Sequence, residues 1–338
     1  MKRAFVLVLV LAIVGGLVAR HAFEVFLERP GPPLAAPIRI DVAPGEPFRT
    51  TAEKLEDAGL VRNSLILALW ARWRGIDRFI QHGAYQFTES LPPVALVEKM
   101  RTGEAMVLRV TLPEGGTAYD LVTALEREGL GRADQFLSLA RSRDFARSLG
   151  VAADGLEGYL FPDTYFFSPL YDPEKIMRTF VARFQAVFTP EMAAEAERLG
   201  FSVHQIVTLA SVIEKETARA EERPLIAAVF RNRLRLGIPL QADPTVIYGI
   251  ENFNGNLTRK DLETRTPYNT YTEIGLPPGP IANPGRHSLL AALRPADAPY
   301  LYFVAREDGS HEFNSNLADH NRAVNRHQRS HRTRPRAG

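Results

Sequence analysis

Apolar positions first gather into one unbroken run. Ala4 to Ala19 (AFVLVLVLAIVGGLVA) carries no charge and lies between Lys2-Arg3 and Arg20-His21. A mostly apolar patch, Ala22 to Leu27, prolongs it, interrupted by Glu24. The core run is at the short end for a membrane span, where roughly 17–25 residues are usual. No small-x-small cleavage site follows, so the pattern predicts an uncleaved signal anchor over 4–27. The cations ahead of it place residues 1–3 in the cytoplasm and the rest of the chain across the membrane. In a bacterium that means a single pass through the inner membrane and a periplasmic or exterior body.

The next stretch, 28–37 (ERPGPPLAAP from Glu28), is Pro-rich and predicts an extended spacer. Beyond it the periodicity changes repeatedly. Ile38 to Val42 alternates like a strand, Pro44-Gly45 turns, and Phe48 to Ala58 reads as a helix closed by Gly59. Asn63 to Arg74 predicts a helix with Leu65, Ile66, Leu69, Trp70 and Trp73 on its apolar side. Gly83 to Phe87 reads as a strand and Pro92 to Arg101 as a helix. The opening pattern then returns: a strand from Val107 to Leu112, a Pro-Gly turn, and a helix from Thr117 closed by Gly129. LEDAGL at Leu55 and LEREGL at Leu125 mark the same point of each copy. A strand–turn–helix unit is therefore used twice, and it resembles small sugar-polymer-binding modules of the LysM type. A repeated packing unit without a ligand is the alternative.

Helices are predicted over Asp134–Leu149, Pro173–Phe188, Pro190–Leu199, Ile206–Arg219, Leu225–Leu236 and Ser288–Leu293. Asp243 is expected to cap a short helix from Thr245 to Ile250. A hairpin across Asp308-Gly309 joins Tyr300–Ala305 to His311–Phe313, and a last helix runs from Asn316 to His327. Between Pro267 and Gly285 lies a long loop dense in Pro, Gly, Asn and Tyr, and ordered loops of that length usually serve a function. The fold class is α+β: a transmembrane helix, a small α/β subdomain over 38–105, and a larger mixed α+β domain over 106–324. The basic tail, 325–338, reads as disordered.

Composition narrows the chemistry. The 338 residues are 45% hydrophobic with net charge +2, too little to argue for nucleic acid. The absence of Cys excludes thiol catalysis and disulfides. No Walker loop, dinucleotide fingerprint or HExxH is present, the eight His lack metal spacing, and no cofactor or metal is expected. The helix IVTLASVIEKETAR offers one carboxylate, Glu214, bordering a stripe of Ile206, Val207, Ala210, Ile213 and Thr217. Apolar neighbours hold a carboxylate back from water and raise its pKa, which suits a proton donor. Glu216 lies about 200° round the helix and is not expected to share that face. Loops rich in Asn, Thr, Tyr and Gln supply groups that bond sugar hydroxyls, and aromatic faces stack on sugar rings. The candidates to hold sugar are Gln241, Asn269, Thr270 and Tyr271, with loop-fixing hydrogen bonds as the competing role.

LASVIEKET (Leu209–Thr217), RNRLRLGIPLQADPTVIYG (Arg231–Gly249), YNTYTEIGLPPGPIANPG (Tyr268–Gly285), YLYFVAREDGSHEFNSNLADHN (Tyr300–Asn321) and LEGYLFPDTY (Leu156–Tyr165) together resemble the endolytic murein transglycosylases of the YceG-like family. The resemblance runs from about Ile38 to about Val324. It implies a membrane-anchored lyase with a LysM-like subdomain that cuts nascent peptidoglycan strands internally and leaves 1,6-anhydro-N-acetylmuramic acid ends. It also implies partnership with a bifunctional penicillin-binding synthase. The family's catalytic Glu, the first of the Glu-Lys-Glu triplet, falls on Glu214; Glu214→Gln is then expected to abolish cleavage and Glu216→Gln to cost much less. Two alternatives stay open. One is a hydrolytic muramidase with a second carboxylate, for which Asp243, Glu157 and Asp163 are the candidates. The other is a non-enzymatic peptidoglycan-binding scaffold.

Overall fold

The computed structural model describes residues 2–329. The chain divides into two compact units, one formed by Met1–Leu108 with Phe166–Tyr171, the other by Arg109–Tyr165 and the chain from Asp172 onward.

The first unit begins with helix α1 (Lys2–Glu28), whose Phe5–Glu28 stretch is long and apolar enough to cross a membrane. Strand β1 (Ile38–Val42), helices α2 (Phe48–Asp57) and α3 (Ser64–Trp73), strand β2 (Gly83–Phe87) and helix α4 (Pro93–Thr102) follow. β1 and β2 pair antiparallel from Ile38↔Phe87 to Val42↔Gly83. Their alternation buries Ile40, Val42, Tyr85 and Phe87 against Leu55, Leu67, Leu96 and Met100. The end of α1 joins this core through Phe23, Phe26 and Leu27. Asn63 starts α3 by accepting the Ile66 amide at 2.9 Å. The apolar side expected of α3 is not the side it buries: Leu67, Trp70 and Ala71 face inward, while Leu65, Ile66, Leu69 and Trp73 are exposed.

The second unit carries strand β3 (Leu108–Thr111), which begins at the boundary, and helices α5 (Ala118–Arg127), α6 (Ala133–Ala140) and α7 (Arg143–Ser148). Strand β4 (Thr164–Phe167) pairs with β3. Helices α8 (Pro173–Val187), α9 (Pro190–Arg198), α10 (Val203–Glu216), α11 (Arg223–Leu236), α12 (Asp243–Tyr248), α13 (Arg259–Glu263) and α14 (Arg286–Leu293) follow. The antiparallel hairpin β5 (Tyr302–Ala305) and β6 (His311–Asn314), then α15 (Leu317–Val324), complete it. The expected helix over Asp134–Leu149 is two, because Ser142 accepts the Phe145 amide at 3.1 Å and starts α7 afresh.

The repeated strand–turn–helix is real at the level of backbone. Gly59 (φ 73°) and Gly129 (φ 77°) end α2 and α5 in the left-handed region, where lack of a Cβ removes the strain. Leu60 and Leu130 then bond back to Leu55 and Leu125 at 2.9 and 3.0 Å and are buried. The two copies belong to different compact units. At the C-terminus, helical structure continues through Asn325–Arg329 as a π turn, with Arg326 and His327 both on Glu312. The tail expected to be disordered is thus helical to 329, and the remainder lies outside the described residues.

α10 is the axis of the second unit. Ser202 and Gln205 form a reciprocal cap at its start. Every residue from Ile206 to Ile213 is buried, packed between α9, α11, α12 and α14. The helix stops at Glu216, earlier than its periodicity suggests, because Thr217 is extended (φ −147°, ψ 138°). Thr217 is buried, and its hydroxyl donates to Glu222 at 3.4 Å.

Candidate active site

The two carboxylates at the end of α10 have different surroundings. Glu214 is buried, its side chain 4% exposed, but it is not left among apolar groups. The Arg223 guanidinium, itself 7% exposed, donates to its Oε1 at 2.7 Å, and the Gly285 amide donates to its Oε2 at 2.9 Å. A carboxylate held by a guanidinium and an amide is fixed in position by two charge-assisted hydrogen bonds. Glu114 lies on the same Arg223 nitrogen at 3.5 Å, and Gly285 has room for it only because it lacks a Cβ, which would meet Glu114 Oε1 at 1.9 Å. Glu214 therefore ties α10, α11, the turn at Glu114 and the loop at Gly285 together.

Glu216 is the dry one. It is the last residue of α10 and stacks over Val212 and Ile213, both fully buried. Among the described residues no hydrogen-bond donor acts on its carboxyl group, and burial pushes its pKa up to about 8. The neighbouring charge of Asp243 raises it further and that of Arg233 opposes the shift. The negative end of the helix dipole works in the same direction as Asp243. Taken as whole residues, Glu214 and Glu216 are both half-buried. A neutral acid near pH 7 beside polar, accessible groups is the condition for general acid catalysis.

Around Glu216 stand residues expected to hold sugar. Tyr271 donates its hydroxyl to Asp243 Oδ1 at 2.6 Å. Asp243 is not the cap expected of it: Ala242 occupies that position and Asp243 is the first helical residue of α12, its carboxylate free to face Tyr271. Gln241 is exposed and sits in the left-handed region at φ 53°, unusual for a residue with a Cβ. Its amide donates to Thr270 O at 3.0 Å, and its side-chain oxygen accepts from Arg233 at 3.3 Å. Arg233 also donates to the carbonyls of Pro239, Leu240 and Leu301, which fixes the turn leading into Gln241.

Asn269 and Thr270 are a different case. Asn269 is fully buried and donates to the carbonyls of Asp261, Leu262 and Thr264, while accepting the Tyr271 amide. Thr270 accepts the Ala242 amide at 3.0 Å and shares a hydrogen bond with Thr245. Both side chains are spent on loop geometry, the competing role, and what they position is Tyr271 and the start of α12.

A second buried acid lies elsewhere in this unit. Glu157 accepts from the Ala118 amide at 3.0 Å, from Asn283 Nδ2 at 2.9 Å and from the Tyr248 hydroxyl at 3.3 Å. Burial still pushes its pKa up to about 7. It borders a cleft of about 860 Å³ that also includes Arg141, His204, Tyr248, Tyr268 and Pro280. With three donors already on its oxygens, Glu157 is a structural junction rather than an open acid. Asp163 is bound to Arg183 at 2.9 Å. Of the three second-carboxylate candidates, Asp243 is the one whose charge acts on Glu216 among the described residues.

Arg223, Glu114 and Gly285 were not legible as a set, since they come from three distant segments. The sequence signal for Glu216 was passed over: its i−4 and i−3 neighbours, Val212 and Ile213, are more apolar than the Ala210 and Ser211 beneath Glu214.

The profile of the YceG-like family matches residues 40–326. The endolytic murein transglycosylase of Bacillus subtilis (strain 168) is 32% identical over 305 residues, 85% of this chain and 83% of that protein. The protein of the same name in Streptococcus pneumoniae serotype 2 (strain D39) is 28% identical, covering 87% of this chain and 59% of its own length. Among solved structures, that of a yceG-like protein of Listeria monocytogenes superposes with a TM-score of 0.59 at 29% identity, over 86% of this chain and 99% of that one. By its profile match over residues 40–326 and by 32% identity over most of the Bacillus subtilis protein, the chain belongs to the YceG-like family.

Proposed function

We propose that this chain cuts nascent peptidoglycan strands internally, next to the membrane, and leaves 1,6-anhydro ends. As a member of its family it is a lytic transglycosylase, an enzyme of the lyase class. The observation that carries the mechanism is Glu216, a carboxylic acid neutral near pH 7 that has no hydrogen-bond donor among the described residues and lies within electrostatic reach of Asp243 and Tyr271. Protonated Glu216 gives its proton to the oxygen joining N-acetylmuramic acid to N-acetylglucosamine. The bond from the anomeric carbon to that oxygen breaks. The muramic acid C6 hydroxyl then closes on the anomeric carbon, and Glu216, now a base, takes the hydroxyl proton. The acid returns to its starting state and no water is consumed. Gln241 and Tyr271 hold the sugar; Asn269 and Thr270 hold the loop that presents them. Glu214 keeps the scaffold under α10 rigid.

The anchor reading gives α1 the role of keeping the catalytic unit near newly made strands, with residues 1–3 in the cytoplasm and the rest outside the inner membrane. β1–α2–α3–β2 serves as a LysM-like element. A bifunctional penicillin-binding synthase is the partner that makes such strands. A hydrolytic reading draws on Asp243, whose charge acts on Glu216. A retaining pair needs about 5–5.5 Å between carboxyl groups and consumes water. Mass analysis of the ends released from purified uncrosslinked strands separates the two, since a reducing end is heavier by one water.

A further inference from the structure

Helix α3 turns apolar residues outward. Leu65, Leu69 and Trp73 recur every four residues and are 59%, 59% and 79% exposed, with Ile66 beside them at 38%. Phe79, past the end of the helix, is 64% exposed. A contiguous apolar face of this kind marks an interaction site. It does not stand alone: Ile66, Leu69 and Trp73 form one wall of an open cavity of about 620 Å³, and Ala22, Phe23 and Phe26 of α1 form the other.

The depth of that cavity follows from helix geometry. The 27 residues of α1 span about 40 Å at 1.5 Å per residue, roughly 10 Å more than the hydrocarbon thickness of a bilayer. The last turns of α1, whose Phe23, Phe26 and Leu27 join the core of this unit, therefore stand at the membrane–water boundary. α3 packs there with Trp73 outward, and Trp is enriched at that depth. Arg62, Arg72, Arg74 and Arg78 are exposed on and around the same helix, the charge that anionic headgroups attract.

We infer that the outer face of α3 lies in the bilayer interface and that phospholipid fills the groove between α3 and α1. This is a second membrane contact of the first unit, and it rests on α1 spanning the membrane. The face is continuous with the lipid-facing surface of α1, which favours lipid over a soluble partner. Its effect is to add a second point of contact with the bilayer to the one α1 provides.

The two Trp of the whole chain are Trp70, buried, and Trp73, on this face, so a chain with only Trp73 left reports it. The full chain is reconstituted in phosphatidylethanolamine–phosphatidylglycerol vesicles, as wild type, Trp73→Phe and Trp70→Phe. Lipid brominated near the headgroup should roughly halve the emission of Trp73, more than lipid brominated at the chain end, and iodide should quench it little. Subtracting the Trp73→Phe signal from wild type gives the same reading if Trp70→Phe folds poorly. Flotation with the vesicles while Trp73 remains open to iodide overturns the α3 contact alone. Shielding from iodide without bromine quenching overturns it in favour of a protein covering the face. Failure to float with the vesicles removes the α1 span and this inference with it.

Discussion

Replacing Glu216 by Gln should remove activity and at the same time make the protein more stable at neutral pH. The carboxyl pKa rises from 4.5 to about 8 on folding. Between those values the folded protein holds a proton that the unfolded chain has released, so stability falls as pH rises through the interval. At about 1.36 kcal/mol per unit, the acid costs at most about 3 kcal/mol by pH 7. Gln keeps the shape and carries no charge to desolvate, so this cost disappears and the unfolding midpoint should rise. Catalysis should drop by roughly 10²–10⁴, the usual worth of a positioned acid–base group. Glu214→Gln should behave in the opposite way. It removes the nearer counter-charge of the buried Arg223 and leaves only the half-exposed Glu114 at 3.5 Å, which costs up to about 3–5 kcal/mol, and its activity loss should follow the loss of folded protein. The assay pairs urea unfolding at several pH values with release of muropeptides from glycan strands. A Glu216→Gln protein that is destabilised, or one that still cuts, refutes the reasoning. So does a Glu214→Gln protein of full stability and no activity.

Other consequences follow from the same contacts. Activity of the wild type should fall as pH rises through about 8, where Glu216 loses its proton, read from rate against pH on soluble strands. Asp243→Asn removes a charge that raises the Glu216 pKa, so this basic limb should move to lower pH; a merely structural role would leave its position unchanged. Gly158 has φ 87°, and a Cβ there would meet Pro280 Cβ at 2.6 Å and Val207 Cγ1 at 2.8 Å. Gly158→Ala should therefore cost more than about 2 kcal/mol, visible as a lowered thermal midpoint. Asn269→Ala removes the buried donor shared by the carbonyls of Asp261, Leu262 and Thr264. It should destabilise by about 1–3 kcal/mol and lower activity through Tyr271, detected by comparing unfolding with turnover.

Local pattern carried much of the element order, because strands, caps and stop signals are local. β1 and β2 appear at the predicted residues, and the Gly59 and Gly129 terminations repeat as LEDAGL and LEREGL suggest. What failed was face assignment and ion pairing. The α3 stripe was expected to point into a core, yet its neighbour is α1, and the outward side faces the region beside the span. Glu214 looked dry because its own helix supplies no partner; Arg223 arrives from the next helix and Gly285 from a loop seventy residues on. α10 was expected to continue past Glu216, which would have left that residue mid-helix, whereas Thr217 ends the helix on it. In the long Pro- and Gly-rich loop, only burial separates Asn269, whose side chain holds the loop, from Tyr271, whose hydroxyl reaches Asp243.

The most direct test is the mass of the new chain ends when purified uncrosslinked glycan strands meet the wild-type protein, Glu216→Gln and Glu214→Gln. The account predicts anhydro ends, one water lighter than reducing ends, from wild type, and none from Glu216→Gln. It also predicts residual anhydro ends from whatever fraction of Glu214→Gln is folded. Reducing ends from wild type, or undiminished cutting by Glu216→Gln, would contradict it.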